Sequence, residues 1–220
     1  MSKEEDFRAD KTKALEERAI HFIKALCPNT ERANYEKINE TDILVNGSFV
    51  DFQYSTNFER FKDLRFDLIA AGYIKNDLST RILLHKFFYD DKTKYKDFKE
   101  FLNNWIDIKK YGKILNTGSK SRPQALIYFI YNKKESEYSN IKEQCPDFIY
   151  VVKTDAILEY INKNWIELVN KAQLHFNIKM PSDRHEGLFI TLPFFELIDA
   201  NVGAAIDALY FYEILNNLKH

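Results

Sequence analysis

The stretch Thr41-Asp42-Ile43-Leu44-Val45-Asn46-Gly47-Ser48-Phe49-Val50-Asp51-Phe52-Gln53-Tyr54-Ser55 decides how the chain is read. Asn46-Gly47 is the pair that suits a two-residue type I′ turn, whose central residues both need positive φ. The flanks are rich in β-branched and aromatic residues, so the stretch is predicted to be a tight β-hairpin. The turn sets a register: Val45 opposite Ser48, Leu44 opposite Phe49, Ile43 opposite Val50 and Asp42 opposite Asp51. Side chains alternate along a strand, so Asp42, Asp51 and Gln53 share one face, and Val50, Phe52 and Tyr54 share the other.

Two carboxylates directly opposed across a hairpin repel unless something compensates them. A divalent cation is one compensator, since Mg²⁺ and Mn²⁺ take hard oxygen ligands, often one or two carboxylates with water and substrate phosphate. The Gln53 amide and the Phe52 carbonyl are further oxygen donors. The competing reading is an exposed hairpin whose aspartates are simply hydrated.

Upstream, residues from about Asp10 to Leu26 carry Leu15, Ala19, Phe22, Ile23 and Leu26 at helical spacing, which predicts an amphipathic helix ended by Pro28-Asn29. At about 100° per residue, Glu16 falls inside the apolar sector and Glu17 almost opposite. Glu16 can therefore be read as reaching the hairpin site or as a stripe-edge residue whose carboxylate reaches water.

An acidic residue on one strand, an acidic-x-Lys tripeptide on the next and a Glu on the preceding helix make up a known pattern. Asp42, Asp51-Phe52-Gln53 and Glu16 stand at those positions, and the region from about Lys13 to Ser55 resembles the PD-(D/E)xK nuclease superfamily. Two features depart from it: Thr41 rather than Pro precedes Asp42, and Gln53 replaces the Lys. Some restriction endonucleases of the superfamily carry Gln there. The replacement removes the cation that would position or activate the attacking water. The resemblance implies an α/β fold with a mixed central sheet flanked by helices, a restriction-endonuclease-like core. It also implies a catalytic set of Asp42, Asp51, Gln53 and Glu16, with Asp42 and Asp51 binding Mg²⁺ or Mn²⁺. Glu16 is preferred to Glu17 because the superfamily places an auxiliary Glu on such a helix.

Further along, Thr56 to Asp63 reads as a short helical turn and Leu64 to Ile74 as the next strand. Arg65 and Asp67 alternate with Phe66 and Leu68. Beside the Asp51 strand, Arg65 would contact a phosphate but would not act as a base, since guanidinium stays protonated. An Arg–Asp surface pair is the alternative. Asp77 to Tyr89 and Lys94 to Ile108 read as helices. Residues 109–122 then hold five basic side chains and no acid: Lys109, Lys110, Lys113, Lys120 and Arg122. Broken by turn formers, this basic loop is the expected grip on a phosphate backbone, against the plain reading of a solvated loop. Its Gly-Ser-Lys-Ser run lacks the glycine spacing of a P-loop.

Ala125 to Tyr131 and Asp147 to Lys153 are apolar runs of buried-strand character. Thr154-Asp155 is expected to cap a helix with Ile157, Leu158, Ile161, Trp165 and Leu168 along its stripe. His175 to Gly187 reads as a surface loop, Leu188 to Phe194 as a short strand and Val202 to Leu218 as a closing helix with Ala205, Ile206, Leu209 and Leu215 inward. The expected organisation is one domain over 1–220, with a core of about 10–155 and a C-terminal helical extension of about 154–220.

Composition bounds the partners. With 32 basic and 33 acidic residues the formal charge is −1, so a DNA binder of this composition has to cluster its cations locally. Cys27 and Cys145 have no metal-binding spacing, the N-terminus has no apolar signal segment, and no apolar run is long enough for a membrane span. A soluble cytoplasmic protein is expected. These readings converge on a metal-dependent endonuclease hydrolysing DNA phosphodiester bonds, a type II restriction enzyme among the options, with a homodimer suited to cutting both strands. The alternatives are a catalytically inactive nuclease-like module for nucleic-acid binding or assembly, and an unrelated α/β protein that binds a partner through an aromatic surface.

Overall fold

Apolar periodicity and turn chemistry produce the first half of the fold. Helix α1 (Lys3–Leu26) starts earlier than its apolar stripe and stops before Pro28. It leads into a short strand that the sequence does not announce, β1 (Thr30–Arg32). The hairpin follows as β2 (Ile43–Val45) and β3 (Ser48–Ser55). Asn46 and Gly47 both have positive φ, 50° and 78°. The strands pair antiparallel as Ile43↔Val50, Leu44↔Phe49 and Val45↔Ser48, the register the turn demands. The structure, a computed structural model, describes residues 3–32, 43–55, 58–69, 97–100, 123–133, 145–171, 173–177 and 187–207. The expected helix over 77–89, most of that over 94–108 and the basic loop over 109–122 lie outside the described residues.

After the hairpin come a single helical turn, α2 (Phe58–Phe61), and β4 (Asp63–Ile69). The apolar runs become β5 (Ala125–Ile130) and β6 (Phe148–Lys153). Two helices, α3 (Thr154–Lys163) and α4 (Trp165–Asn170), share the expected stripe and are separated at Asn164, whose side-chain amide donates to the Tyr160 carbonyl at 2.9 Å. Thr154 does not cap α3. It is the first helical residue, and its buried hydroxyl donates to the Pro123 carbonyl at 2.6 Å.

Among its described residues, the C-terminal part expected as a helical extension carries strands as well as helices. Residues 175–177, expected to start a loop, belong to β7 (Leu174–Asn177), which pairs with β8 (Gly187–Pro193). After α5 (Phe194–Asp199) the chain turns through Asn201 and Gly203, at φ 56° and 82°, into β9 (Ala204–Asp207). Ala205 and Ile206 are thus on an exposed edge strand rather than the inner face of a helix. The physical reason is local: Gly203 packs so closely under Tyr150 that an added Cβ would sit 2.7 Å from the Val151 carbonyl oxygen. That approach sets the ladder Tyr150↔Ala205 and Ile149↔Ile206, which outranks the apolar spacing. Leu209 and Leu215 lie outside the described residues.

The result is an α/β fold with a mixed six-stranded sheet in the order β1-β2-β3-β5-β6-β9. β3 and β5 run parallel, and the other neighbours run antiparallel. A second, antiparallel sheet has the order β4-β8-β7. The large sheet is covered on both faces, which is why β5 is buried from Leu126 to Ile130. On one face, Leu15, Ala19, Phe22 and Ile23 of α1 pack on Ile43, Val50, Phe52, Ile127, Phe129 and Ile149. On the other, Leu126, Tyr128, Ile130, Tyr150 and Val152 meet Leu64, Phe66 and Leu68 of β4, Ile190 and Leu192 of β8, and the α3–α4 stripe. Among the described residues, no helix is long and apolar enough to cross a membrane.

Candidate active site

Alternation along β3 decides where its polar residues go. Val50 and Phe52 belong to the α1 face, so Asp51 and Gln53 project from the opposite face, beside the second sheet. In the parallel pairing, Asp51 lies opposite Leu126 and Gln53 opposite Tyr128. Asp51 is 3% exposed, the only buried charged side chain among the described residues. A carboxylate is costly to bury without hydrogen bonds. Gln53 supplies one, its Nε2 donating to Asp51 Oδ2 at 2.7 Å.

Tyr128 continues this polar patch. Its ring packs against Phe66 and Tyr150, with centroids 5.2 Å and 6.2 Å away. Its hydroxyl donates to the Arg65 carbonyl at 2.8 Å. Burial, and then the negative charges of Asp51 and Asp67, hold the phenol well above its usual range despite the opposing Arg65 charge. Tyr128 therefore stays a donor beyond the pH at which an ordinary tyrosine ionises. The neighbouring Tyr150 hydroxyl, also pushed upward by burial, donates to the Val202 carbonyl.

Arg65 does not lie on a strand next to β3. That place belongs to β5, and β4 is part of the second sheet. Arg65 nevertheless approaches the patch through its backbone. Its exposed guanidinium makes two hydrogen bonds to Asp67 Oδ1, at 2.9 and 2.7 Å, and lies 4.0 Å from the centre of the Phe189 ring. This is the Arg–Asp pair foreseen as the alternative, with the guanidinium preorganised by an aromatic face.

Glu16 is not brought to Asp51. Helix α1 lies on the Phe52 face, and the Glu16 carboxylate bonds Arg32 of β1 at 3.2 Å. Glu17 reaches the same guanidinium at 3.3 Å. The angular argument put Glu16 near the apolar stripe, but that stripe covers the face from which Asp51 points away. Asp42, Lys109, Lys110, Lys113, Lys120 and Arg122 lie outside the described residues. His185 and Glu186 lie there too.

Within the described residues, no group of three or more His, Cys, Asp or Glu side chains is placed to hold a metal ion. The donor chemistry present is one buried carboxylate beside an amide, hard oxygen ligands that suit Mg²⁺ or Mn²⁺ where water and substrate phosphate complete the shell. Tyr128 is a core residue, as its apolar run implies, and what a single sequence does not show is that it stands opposite Gln53 on the strand next to β3. Comparison with protein-family models, with curated proteins and with solved structures finds no match.

Proposed function

We propose that the chain is a metal-dependent endonuclease acting on DNA, with its site built on the β3 face that carries Asp51 and Gln53. The observation that carries this reading is Asp51: a carboxylate kept 3% exposed, hydrogen-bonded by the residue two positions on, in an acidic-x-Gln strand. A buried carboxylate costs stability, and such costs concentrate at functional sites. The mixed sheet with cover on both faces is compatible with the nuclease-like core that the motif implies.

Asp51, with Asp42 as the motif implies, would hold the cation. Mg²⁺ or Mn²⁺ bound there supplies polarisation of the scissile phosphate and a bound water of lowered pKa. Gln53 fixes the Asp51 carboxylate through its amide nitrogen and keeps an amide oxygen with which to orient water. Being neutral, it takes no proton. Arg65 and the basic residues Lys109, Lys110, Lys113, Lys120 and Arg122 would grip the phosphate backbone. A cytoplasmic setting agrees with two free thiols, Cys27 and Cys145, and a homodimer would give one site per DNA strand.

A second reading is favoured by one observation: Glu16 is engaged by Arg32 on the far face. With Gln53 in place of Lys, this suits a nuclease-like module that binds nucleic acid without cutting it. Plasmid and linear duplex DNA, incubated with Mg²⁺, with Mn²⁺ and with chelator, separate the two. The endonuclease reading expects metal-dependent cutting that falls more than about 100-fold in Asp51→Ala. Binding without cutting under either metal, by folded protein, would move the assignment to the inactive module.

A further inference from the structure

We propose that Lys62 is a phosphate contact for nucleic acid, on a binding surface at the carboxyl ends of the parallel strands β3 and β5 that also includes the exposed ring of Phe195. The proposal rests on the nuclease reading for the identity of its ligand. It adds a contact surface that reading does not contain, and it does not require Lys62 to touch the Asp51 centre.

Three observations carry it. The first is a cation held by neutral groups. Half-buried Lys62 donates from Nζ to the Asn132 side-chain oxygen at 2.9 Å, and its ammonium lies 5.2 Å from the centre of the Phe58 ring. The Asp147 carboxylate accepts the Asn132 backbone N–H at 2.6 Å. Among the described residues no carboxylate pairs with Lys62, and two of its three donors remain for a ligand. The second is the backbone. Lys62 closes α2 at φ 54°, its N–H on the Phe58 carbonyl at 2.7 Å and its own carbonyl accepting from the Phe194 N–H at 3.0 Å. Left-handed backbone suits Gly or Asn, so a lysine kept there is strained, and such strain gathers at functional positions. The third is Phe195, 57% exposed, whose ring stands 6.4 Å from Phe58. Its neighbour Glu196 is turned to Lys171. Lys62 and Phe195 thus flank one buried ring, a cation for a phosphate beside an apolar surface for the adjoining sugar or base. Phe58 shares an interior with Tyr128 and Ile130, so this surface lies at the rim of the sheet face from which Asp51 projects. β3 ends at Ser55, about 13 Å along the strand from Asp51. Lys62 therefore holds backbone that flanks the cut, not the scissile phosphate.

The test is duplex affinity measured in chelator, where the nuclease reading expects no cutting, over a range of salt. Lys62→Asn removes the ammonium and suits the left-handed backbone. It is expected to flatten the log–log salt slope by about one and to weaken binding about fivefold near physiological salt, the signature of one lost phosphate contact. Lys62→Arg keeps the charge and should keep the slope. Phe195→Ala should weaken binding with the slope unchanged, because it removes no charge. A Lys62→Asn protein that melts like the wild type yet keeps its slope overturns the proposal, and so does an equal loss of slope in Lys62→Arg. Unchanged affinity in Phe195→Ala overturns the part given to that ring. If Lys62→Asn does not fold, the side-chain amide resonance of Asn132 in the wild-type chain takes over. It should shift when duplex is added at low salt, and an absent shift overturns the contact. Wild-type protein that binds no duplex overturns both this proposal and the nuclease reading. Binding with a Lys62-dependent slope but no cutting under any metal overturns the catalytic reading alone.

Discussion

Asp51 and Phe52 are neighbours on β3, yet they belong to different interiors. Phe52 enters the wall beneath α1, where its ring meets Phe129 edge-on at 5.1 Å and Phe129 meets Phe22 edge-on at 5.8 Å. Asp51 enters the space between the two sheets. There Gln53, Tyr128 and Tyr150 each carry a polar atom with a stated partner. The first interior asks only for volume and shape, because it is apolar. The second asks for partners, because an unsatisfied buried polar group costs about 1–3 kcal/mol.

The largest expected effect tests that contrast directly. Phe129→Ala empties a 1% exposed site under α1 and should cost about 3–5 kcal/mol, read as a fall in the denaturant midpoint. Asp51→Asn keeps an amide partner for Gln53 while removing the charge, and should change stability by about 1 kcal/mol or less. Should the two values be comparable, Asp51 would be a structural residue and the division of labour between the faces would be lost.

A smaller effect sharpens the comparison through pH. The folded Tyr128 phenol titrates above its unfolded value near 10, so the folded state keeps a proton that the unfolded chain releases. Its stabilising contribution is complete below about pH 10 and declines as pH rises through the folded pKa. The slope approaches about 1.4 kcal/mol per pH unit. Urea titrations between neutral pH and strong alkali should show this decline in the wild type and a flatter one in Tyr128→Phe. Equal slopes would mean that Tyr128 is not the group that retains the proton.

The sequence and the structure part company at identifiable places. From Ile43 to Val50 the hairpin is readable to the residue, because Asn46-Gly47 leaves one register open and chain-local chemistry decides it. β5 and β6 were readable because runs such as Leu126-Ile127-Tyr128-Phe129-Ile130 have no polar face to expose. What could not be read is which face a helix covers and which strands meet across the chain. Glu16 was placed by its angle on α1, but no angle says that α1 lies on the Phe52 side. Tyr128 pairs with Gln53, 75 positions earlier in the chain, a contact that local periodicity does not encode. The β9 stretch reads as helix because Ala205, Ile206 and Leu209 fit a 3.6-residue spacing. The deciding contact, Gly203 under Tyr150, is tertiary.

The smallest expected effect concerns Glu16 itself. Its carboxylate is 12% exposed and shares the Arg32 guanidinium with Glu17, at a rim where Arg32 is 34% exposed. A partly solvated pair of this kind contributes about 0–1 kcal/mol, so Glu16→Gln should lower stability by no more than that. Because the sheet stands between it and Asp51, Glu16→Gln should also leave duplex cutting within about twofold of wild type, a change of under about 0.5 kcal/mol in the barrier. The same cleavage assay run on Glu16→Gln and Asp51→Ala side by side decides the matter. If Glu16→Gln loses cutting as completely as Asp51→Ala, the two carboxylates act at one centre and α1 reaches the Asp51 face. If only Asp51→Ala loses it, the chemistry belongs to one face of the sheet and α1 serves to hold the other face dry.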